Sequence, residues 1–262
     1  MLDKIDLQRK LAHETYDKML PVLQRRLYDL EKTCWDNKIA SIFVFEGWDA
    51  AGKGSAISSV TARLDPRGIK VHSIHSPRTY ESMRPWLWRF WQRMPNYGEM
   101  AIFDGSWYGR VLVERVEGLT PEMEWRQAYK DINEFERLLA DDGVAIVKFW
   151  LHISKKEQKN RFKEIEKDPL ESWRVTPSDW ERHKHYYSYL RAAEEMFEQT
   201  ETEFGPWTVV EATSKWYARR KIFETIISAL EHRLGPLAPP QRSGKDKDDA
   251  ELRQAMAAVE KN

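Results

Sequence analysis

The chain has little of several features that would identify a function class at once. Cys34 is the only cysteine among 262 residues, which excludes an internal disulfide framework and a cysteine-rich zinc site. Lysine and arginine together number 42, and so do aspartate and glutamate, so the bulk charge gives no sign of a polyanionic partner. Any attraction for phosphate must therefore come from a local arrangement of charges.

Long apolar runs are also missing from the sequence. No stretch approaches the roughly 18 consecutive apolar residues that span a bilayer, and the opening MLDKIDLQRK contains no apolar signal core. We therefore expect a cytoplasmic protein with no membrane partner. The length predicts one domain over residues 1–235, and the charged residues 236–262, with prolines near their start, are expected to form a flexible tail.

Short apolar runs alternate with helical patterns through the domain. The predicted strands are residues 39–45, 71–74, 99–104, 144–153 and 207–211. The predicted helices are residues 7–35, 55–64, 83–94, 121–141, 154–167, 180–197 and 215–232. This order favours an α/β fold with a five-stranded parallel sheet, whose ligands bind at the carboxyl ends of the strands.

The sequence GWDAAGKG, residues 47–54, lies between the first predicted strand and the next helix. Its GxxxxGK pattern, ending in Lys53, is typical of a phosphate-binding loop, in which backbone N–H groups and the lysine attract an anion. Gly54 stands where such loops usually carry a serine or threonine that holds Mg²⁺. The loop aspartate, Asp49, either supplies the missing oxygen ligand or forms an Asx turn.

A second carboxylate follows the third predicted strand. Asp104 stands where a Walker-B-type aspartate would lie, and its alternative role is to cap a helix that begins near Ser106. Two carboxylates at two strand ends, beside one loop lysine, favour a metal–phosphate centre.

Two other patterns invite a functional interpretation. Trp86, Trp88 and Trp91 lie among arginines, and we interpret them as part of a cleft-lining helix rather than as a stacking surface for single-stranded RNA. No nucleic-acid partner is therefore expected. His183 and His185 are predicted to be exposed residues of a helix.

Several segments, in one order over residues 10–233, resemble the family-2 polyphosphate kinases. They are GWDAAGKG, LDPRG, HSPRTYESMRPWLWRFWQRMP, FDGSWYGRVLVERVEG, YKDINEFERLL, KFWLHISKKEQKNRFKEIEKDPLESW and WTVVEA. The amino-acid sequences of these segments are most similar to those of the polyphosphate:AMP phosphotransferases. The resemblance implies a three-layer P-loop kinase-like fold, a helical lid at about residues 154–190 and a homo-oligomer.

The resemblance also implies an activity and its residues. The activity is Mg²⁺-dependent phosphoryl transfer between inorganic polyphosphate and a nucleotide. Transfer to AMP, giving ADP, is expected ahead of transfer to ADP, giving ATP. The catalytic residues implied are Asp49, Lys53, Asp104 and Arg110, with Asp49 and Asp104 as metal ligands. The phosphate-binding residues expected are Gly47, Ala50, Ala51, Gly52, Lys53, Gly54, Ser55, Arg161 and Arg174.

Three positions depart from the family pattern. Gly105 and Ile165 stand where the pattern has arginine, and Glu171 stands where it has lysine. Phosphoryl transfer relies mainly on positive charge around the phosphates, so a weakened homologue that binds polyphosphate or nucleotide stays open as an alternative. An ATP-dependent nucleotide kinase is the other alternative.

Overall fold

One parallel sheet forms the centre of the molecule, as seen in a computed structural model that describes residues 2–239. Its strands are β1 (Ser41–Gly47), β2 (Ile69–Ser73), β3 (Met100–Asp104), β4 (Ala145–His152) and β5 (Trp207–Glu211). Their order across the sheet is β2-β3-β1-β4-β5. The predicted α/β fold with a five-stranded parallel sheet is confirmed, and the strand bounds differ from the expected ones by no more than two residues.

Helices pack around this sheet. They are α1 (His13–Asp36), α2 (Lys53–Thr61), α3 (Thr79–Ser82), α4 (Trp88–Trp91), α5 (Val113–Val116), α6 (Glu122–Asp141), α7 (Lys155–Lys167), α8 (Pro177–Lys184), α9 (Tyr186–Thr200) and α10 (Lys215–Leu234). Helix α10 packs on β4, β5 and α1, while α6 contacts β4 and α9. All of β4, and β1 up to its last residue, are buried, which explains why both read as continuous apolar runs rather than as alternating patterns.

Three predicted helices were wrong in their extent, and the first of them, predicted over residues 7–35, begins only at His13. Within residues 83–94 only Trp88–Trp91 is helical, because Pro85 has no N–H and restricts the residue before it. Residues 180–197 are not one helix either, since α8 ends at Lys184 and α9 begins at Tyr186. The Tyr186 hydroxyl donates to the Ile153 carbonyl at 2.8 Å, which fixes the start of α9 on the end of β4.

The predicted tail falls mostly outside the described residues. Residues 235–237 form a short 3-10 helix, and the rest of the tail from residue 240 onward is not described. Between residues 2 and 239 no helix has both the length and the apolar character needed to cross a membrane.

A buried ion pair joins β4 to the helices on one face of the sheet. Lys148 and Glu136 are both fully buried, and Lys148 Nζ lies 2.8 Å from Glu136 Oε2. The same ammonium donates to the Tyr108 hydroxyl at 2.9 Å and to the Thr200 carbonyl at 3.0 Å. Burial lowers the pKa of Lys148, while the Glu136 carboxylate opposes that shift. The network ties β4, α6 and α9 together.

Removing one partner of this pair should destabilise the fold. Lys148→Met leaves the Glu136 carboxylate buried without its cation, and we expect a loss of about 3 kcal/mol or more in the free energy of unfolding. Denaturant unfolding followed by circular dichroism measures it. The double variant Lys148→Met/Glu136→Gln should regain part of the loss. Lys32→Met, which breaks an exposed pair with Asp36, is the control and should change stability by less than about 1 kcal/mol. A near-normal stability of Lys148→Met would contradict the proposed contribution of the Lys148–Glu136 pair to the fold.

Candidate active site

The loop between β1 and α2 lies at the carboxyl edge of the sheet, as predicted. Gly47 has a φ of +132°, and a Cβ added there would lie 2.4 Å from the Leu151 carbonyl oxygen. Only glycine therefore allows the chain to leave β1 so close to β4. Ala50, with a φ of +59°, adopts a left-handed conformation without being glycine, which costs of order 1 kcal/mol. The rest of the structure must hold this strained loop in place.

The loop carbonyls point toward side-chain donors. The first donor is Lys53, whose Nζ donates to the carbonyls of Gly47 at 2.9 Å and Trp48 at 3.2 Å. Each carbonyl thereby gains a partner, as buried backbone groups require. The lysine predicted to meet phosphate is held at the loop itself by these two bonds.

Helix α7 supplies the remaining donors to the loop carbonyls. Gln158 Nε2 donates to the Asp49 carbonyl at 3.2 Å. Arg161 Nη1 donates to the carbonyls of Ala50 at 3.0 Å and Ala51 at 3.2 Å. Its other N–H groups donate to the carbonyls of Ala212 and Thr213 and to a carboxylate oxygen of Glu157. Arg161 thus joins the loop to the connection between β5 and α10, and sequence reasoning missed both this role and Gln158.

The N–H groups of the loop point the other way. Within residues 2–239 no hydrogen bond is made by the backbone N–H groups of Asp49, Ala50, Gly52, Lys53 and Gly54. These donors lie at the N-terminal end of α2, where the helix dipole adds positive potential. Free N–H groups at the N-terminus of a helix can bind an anion such as phosphate.

Asp104 stands at the end of β3 beside this loop. Its Cα is paired in register with that of Phe45, two residues before the loop begins. The Asp104 carboxylate makes no hydrogen bond or ion pair within the described part of the chain. The capping role belongs instead to Ser106, whose Oγ accepts from the Tyr108 N–H at 3.2 Å. The carboxylate of Asp104 is therefore free to meet a ligand.

A buried carboxyl group interacts with both Asp104 and Lys53. Glu46 is 8% exposed, and its Oε1 accepts from Ser106 Oγ at 2.7 Å. Burial raises the pKa of Glu46 to about 7, Ser106 and Lys53 lower that pKa, and Asp104 raises it. Both predicted site residues are thus close enough to act on Glu46. Sequence reasoning missed this residue, although a glutamate near the end of an apolar strand was a visible signal.

Asp49 is held by an arginine of α8 that sequence reasoning did not select. Arg182 of α8 donates through Nε to Asp49 Oδ2 at 2.9 Å and through Nη2 to Asp179 Oδ1 at 2.6 Å. Burial lowers the pKa of Arg182, but the carboxylates of Asp49 and Asp179 outweigh it and raise that pKa overall. The next residue, His183, has its Nδ1 2.7 Å from Gln158 Oε1. The expectation that His183 is exposed was wrong, because it packs against α7.

Arg110 and Arg174 bond to partners outside loop 47–54. Arg110 Nη1 lies 2.6 Å from Glu114 Oε2 and 2.8 Å from Thr120 Oγ1. Arg174 is half-exposed and forms an ion pair with Glu171. Each arginine would have to exchange a carboxylate for a phosphate in order to bind substrate.

Two glycines at functionally suggestive positions differ in their backbone. A Cβ at Gly54 would meet nothing within 4 Å, so a hydroxyl-bearing residue would fit there. Gly105 has a φ of +72°, which is strained for any other residue. The absence of an arginine at position 105 is therefore matched by a backbone that suits glycine.

Comparison with known proteins gives a consistent relationship. Residues 10–236 match the family model for polyphosphate kinase 2. The polyphosphate:AMP phosphotransferase of Pseudomonas syringae pv. tomato is 46% identical over 231 residues, which cover 88% of this chain and 46% of that protein. The AMP/ADP-polyphosphate phosphotransferase of Meiothermus ruber is 38% identical over 213 residues, which cover 81% of this chain and 80% of that protein.

A solved structure is similar along nearly the whole chain. Polyphosphate kinase 2 from Arthrobacter aurescens TC1 superposes with a TM-score of 0.86 at 29% identity, covering 98% of this chain and 93% of that one. The three-layer, P-loop kinase-like fold is thereby confirmed. Some relatives are longer, and the chain spans about half the length of the polyphosphate:AMP phosphotransferases it matches.

The pKa of Glu46 predicts a pH-dependent stability. Folding raises this pKa from 4.5 to about 7, so between these values the folded chain binds more protons than the unfolded chain, and stability falls as the pH rises. Glu46→Gln removes this loss. Its free energy of unfolding relative to the original chain should increase by up to about 3 kcal/mol between pH 5 and pH 8. Denaturant unfolding at several pH values measures the difference. Glu181→Gln on the surface is the control, and equal pH slopes for Glu46→Gln and the original chain would refute the burial effect.

The Arg182–Asp49 contact predicts how α8 is held. Arg182→Ala removes the side chain that joins α8 to the loop, so amide hydrogen exchange in α8 should become about tenfold faster. Exchange measured by mass spectrometry tests this. Lys184→Ala, on the same helix and, among residues 2–239, in an ion pair with exposed Glu181 alone, should leave the rates within about twofold. Unchanged exchange in Arg182→Ala would mean that other contacts hold α8.

Proposed function

The chain belongs to the polyphosphate kinase 2 family, and we propose that it transfers a phosphoryl group between inorganic polyphosphate and a nucleotide. AMP, which is converted to ADP, is the favoured acceptor. ADP, which is converted to ATP, is the alternative acceptor. Relatives named polyphosphate:AMP phosphotransferase and AMP/ADP-polyphosphate phosphotransferase support this substrate class. We also propose one catalytic domain over residues 1–235 with a lid at about 154–190, and a cytoplasmic homo-oligomer.

The observation that carries the proposal is the division of the loop's backbone groups. Every carbonyl of residues 47–51 accepts a hydrogen bond from a side chain, whereas five N–H groups of the same loop have no partner in the described chain. The loop carbonyls are therefore held by hydrogen bonds, whereas these five N–H groups still lack acceptors. A phosphate group, with several acceptor oxygens, fits these donors.

The two aspartates fit a divalent cation, which we propose is Mg²⁺. Among residues 2–239 no group of three or more metal-ligating side chains is present, but Mg²⁺ usually takes one or two carboxylates and completes its shell with water and substrate phosphates. Asp104 has a free carboxylate, and Asp49 has one oxygen outside its bond to Arg182. When bound, the ion would neutralise charge on the phosphates.

The protein's own part in the transfer is alignment and charge. The loop N–H groups and Lys53 bind the phosphate oxygens, and this contact fixes the group to be transferred relative to an acceptor beside Asp104. Arg110 and Arg174 add positive charge once they leave Glu114 and Glu171. These roles suit phosphoryl transfer, in which charge stabilisation and positioning account for most of the catalysis.

A second candidate function is supported by the same lid. Glu171 neutralises Arg174, and Gly105 provides no charge where the family pattern has arginine. Both features favour a homologue that binds polyphosphate and nucleotide but transfers slowly. Turnover with polyphosphate distinguishes this candidate from an active kinase, and substitution of Glu171 by lysine should increase the rate if Arg174 is limiting.

Two substitutions test the proposed site. Asp104→Asn and Lys53→Ala should each lower kcat with AMP and polyphosphate by about 100-fold or more, because one removes a metal ligand and the other a charge at the transferred phosphate. ADP formation is followed by chromatography, with polyphosphate and ATP compared as donors. Asp142→Asn and Lys32→Ala, surface changes at the other end of the sheet, are the controls. Near-normal turnover in either site variant would reject the site, and turnover with ATP alone would reject polyphosphate as the donor.

A further inference from the structure

The last residue of β4, His152, is 4% exposed, and we propose that it is a positioning residue for phosphate binding. Its ring accepts the indole N–H of Trp48, a residue of loop 47–54. Through that bond it holds the loop in the conformation that presents its unpartnered N–H groups to an anion. This inference rests on the phosphate binding in the proposed function and adds a residue to the same site.

One nitrogen of His152 serves as a hydrogen-bond acceptor. Trp48 Nε1 donates to His152 Nδ1 at 3.1 Å, and Trp150 Nε1 lies 3.4 Å from the same atom. A ring nitrogen that accepts carries no proton, so the neutral ring holds its proton on Nε2. Burial lowers the pKa of His152 to about 4, although the Glu194 carboxylate opposes this shift. The acceptor is therefore available at neutral pH.

Trp48 is held through its ring and through its backbone. The residue is 6% exposed, and its ring stacks on that of Tyr186 at a centroid distance of 3.9 Å and an interplanar angle of 13°. Its backbone N–H donates to the Leu151 carbonyl at 3.3 Å, and its own carbonyl accepts from Lys53 Nζ at 3.2 Å. Stacking alone allows the indole to turn within its plane, whereas the directional bond to His152 fixes that rotation.

The position of Trp48 decides where the next N–H group points. The Trp48 carbonyl and the Asp49 N–H belong to one planar peptide group, so they point in opposite directions. Lys53 holds this carbonyl, and the Asp49 N–H is one of the five that have no partner in the described chain. Ala50 follows with a φ of +59°, a conformation that persists only when its surroundings hold it. His152 anchors the loop from β4, in addition to the donors of α7.

A second buried indole offers a matched comparison away from the loop. Trp207 Nε1 donates to Thr200 Oγ1 at 3.0 Å, and Thr200 is fully buried. Trp207 is the first residue of β5 and pairs in register with Lys148, in the middle of β4 rather than at its end. Removing either indole acceptor should cost a similar amount of stability. Removal at His152 should in addition disturb the loop.

The test measures anion binding, which requires no phosphoryl transfer. In His152→Leu the affinity for pyrophosphate, measured by calorimetric titration without metal, should fall about tenfold, because the Trp48 indole N–H loses its acceptor. His152→Asn places a carbonyl oxygen near the position of Nδ1 and should recover the affinity to within about threefold. Thr200→Val, at a site independent of the loop, should stay within about twofold of the original chain. All variants are compared at a temperature at which denaturant unfolding shows them to be folded.

A second readout and a second variant keep the test decisive. Amide hydrogen exchange in residues 47–54 should be about tenfold faster in His152→Leu and unchanged in Thr200→Val. If His152→Leu does not fold, Trp48→Phe removes the same hydrogen bond from its donor side and keeps an aromatic ring on Tyr186. Trp48→Phe should then show the same two effects.

The outcomes separate this inference from the proposed function. Equal pyrophosphate affinity in His152→Leu and the original chain, or an equal loss in Thr200→Val, would make His152 an ordinary core residue and overturn the inference. An asparagine variant that binds as weakly as the leucine variant would overturn it too. An original chain that binds pyrophosphate but transfers no phosphate from polyphosphate to AMP would reject the proposed function alone. An original chain that binds no pyrophosphate would overturn both, because there would be no site to position.

Discussion

A loop that turns its N–H groups outward to bind phosphate must turn its carbonyls inward, and each buried carbonyl needs a donor. In this protein the donors for residues 47–51 are Lys53, Gln158 and Arg161. Two of them come from α7, more than a hundred residues along the chain. The geometry of the loop, including the left-handed Ala50, therefore depends on the packing of α7 against the sheet edge.

The same constraint explains how Arg161 differs from its expected role. From the sequence it is one basic residue among several in a charged helix, and a phosphate contact is a reasonable interpretation. In the structure its guanidinium is directed at four backbone carbonyls and at Glu157. A planar group with five donors suits several fixed acceptors better than the point charge of lysine does. Under the proposed function, Arg161 therefore acts on phosphate through the loop, by holding the loop carbonyls.

The sequence predicts the sheet well because strands buried on both faces leave continuous apolar runs, and because glycine and lysine mark the loop. It predicts less of the helices near the site. The helical stripe in residues 83–94 suggested one helix, but Pro85 prevents it. The break at His185 and the burial of His183 come from partners in α7 and at the end of β4, which no local pattern contains. Glu46 and Arg182 were missed for the same reason, since their roles exist only after distant segments meet.

Charge in this protein is informative only when its pairing is known. On α7 and α10, Arg161, Lys167, Arg220, Lys221 and Arg233 each have a carboxylate or a carbonyl as partner, so these cations stabilise the fold and add little to the field outside. Lys10, Lys215 and Arg219, which form no ion pair within residues 2–239, line one cavity with Gly52 of the loop, and there their charge adds to the potential of the free N–H groups. Asp49, in contrast, is a carboxylate whose charge is already neutralised by Arg182. A metal ion or phosphate that binds at Asp49 must compete with this arginine, which is also held by Asp179. In the proposed site, substrate binding is therefore coupled to the position of α8, because Arg182 cannot leave Asp49 without changing how the helix is held.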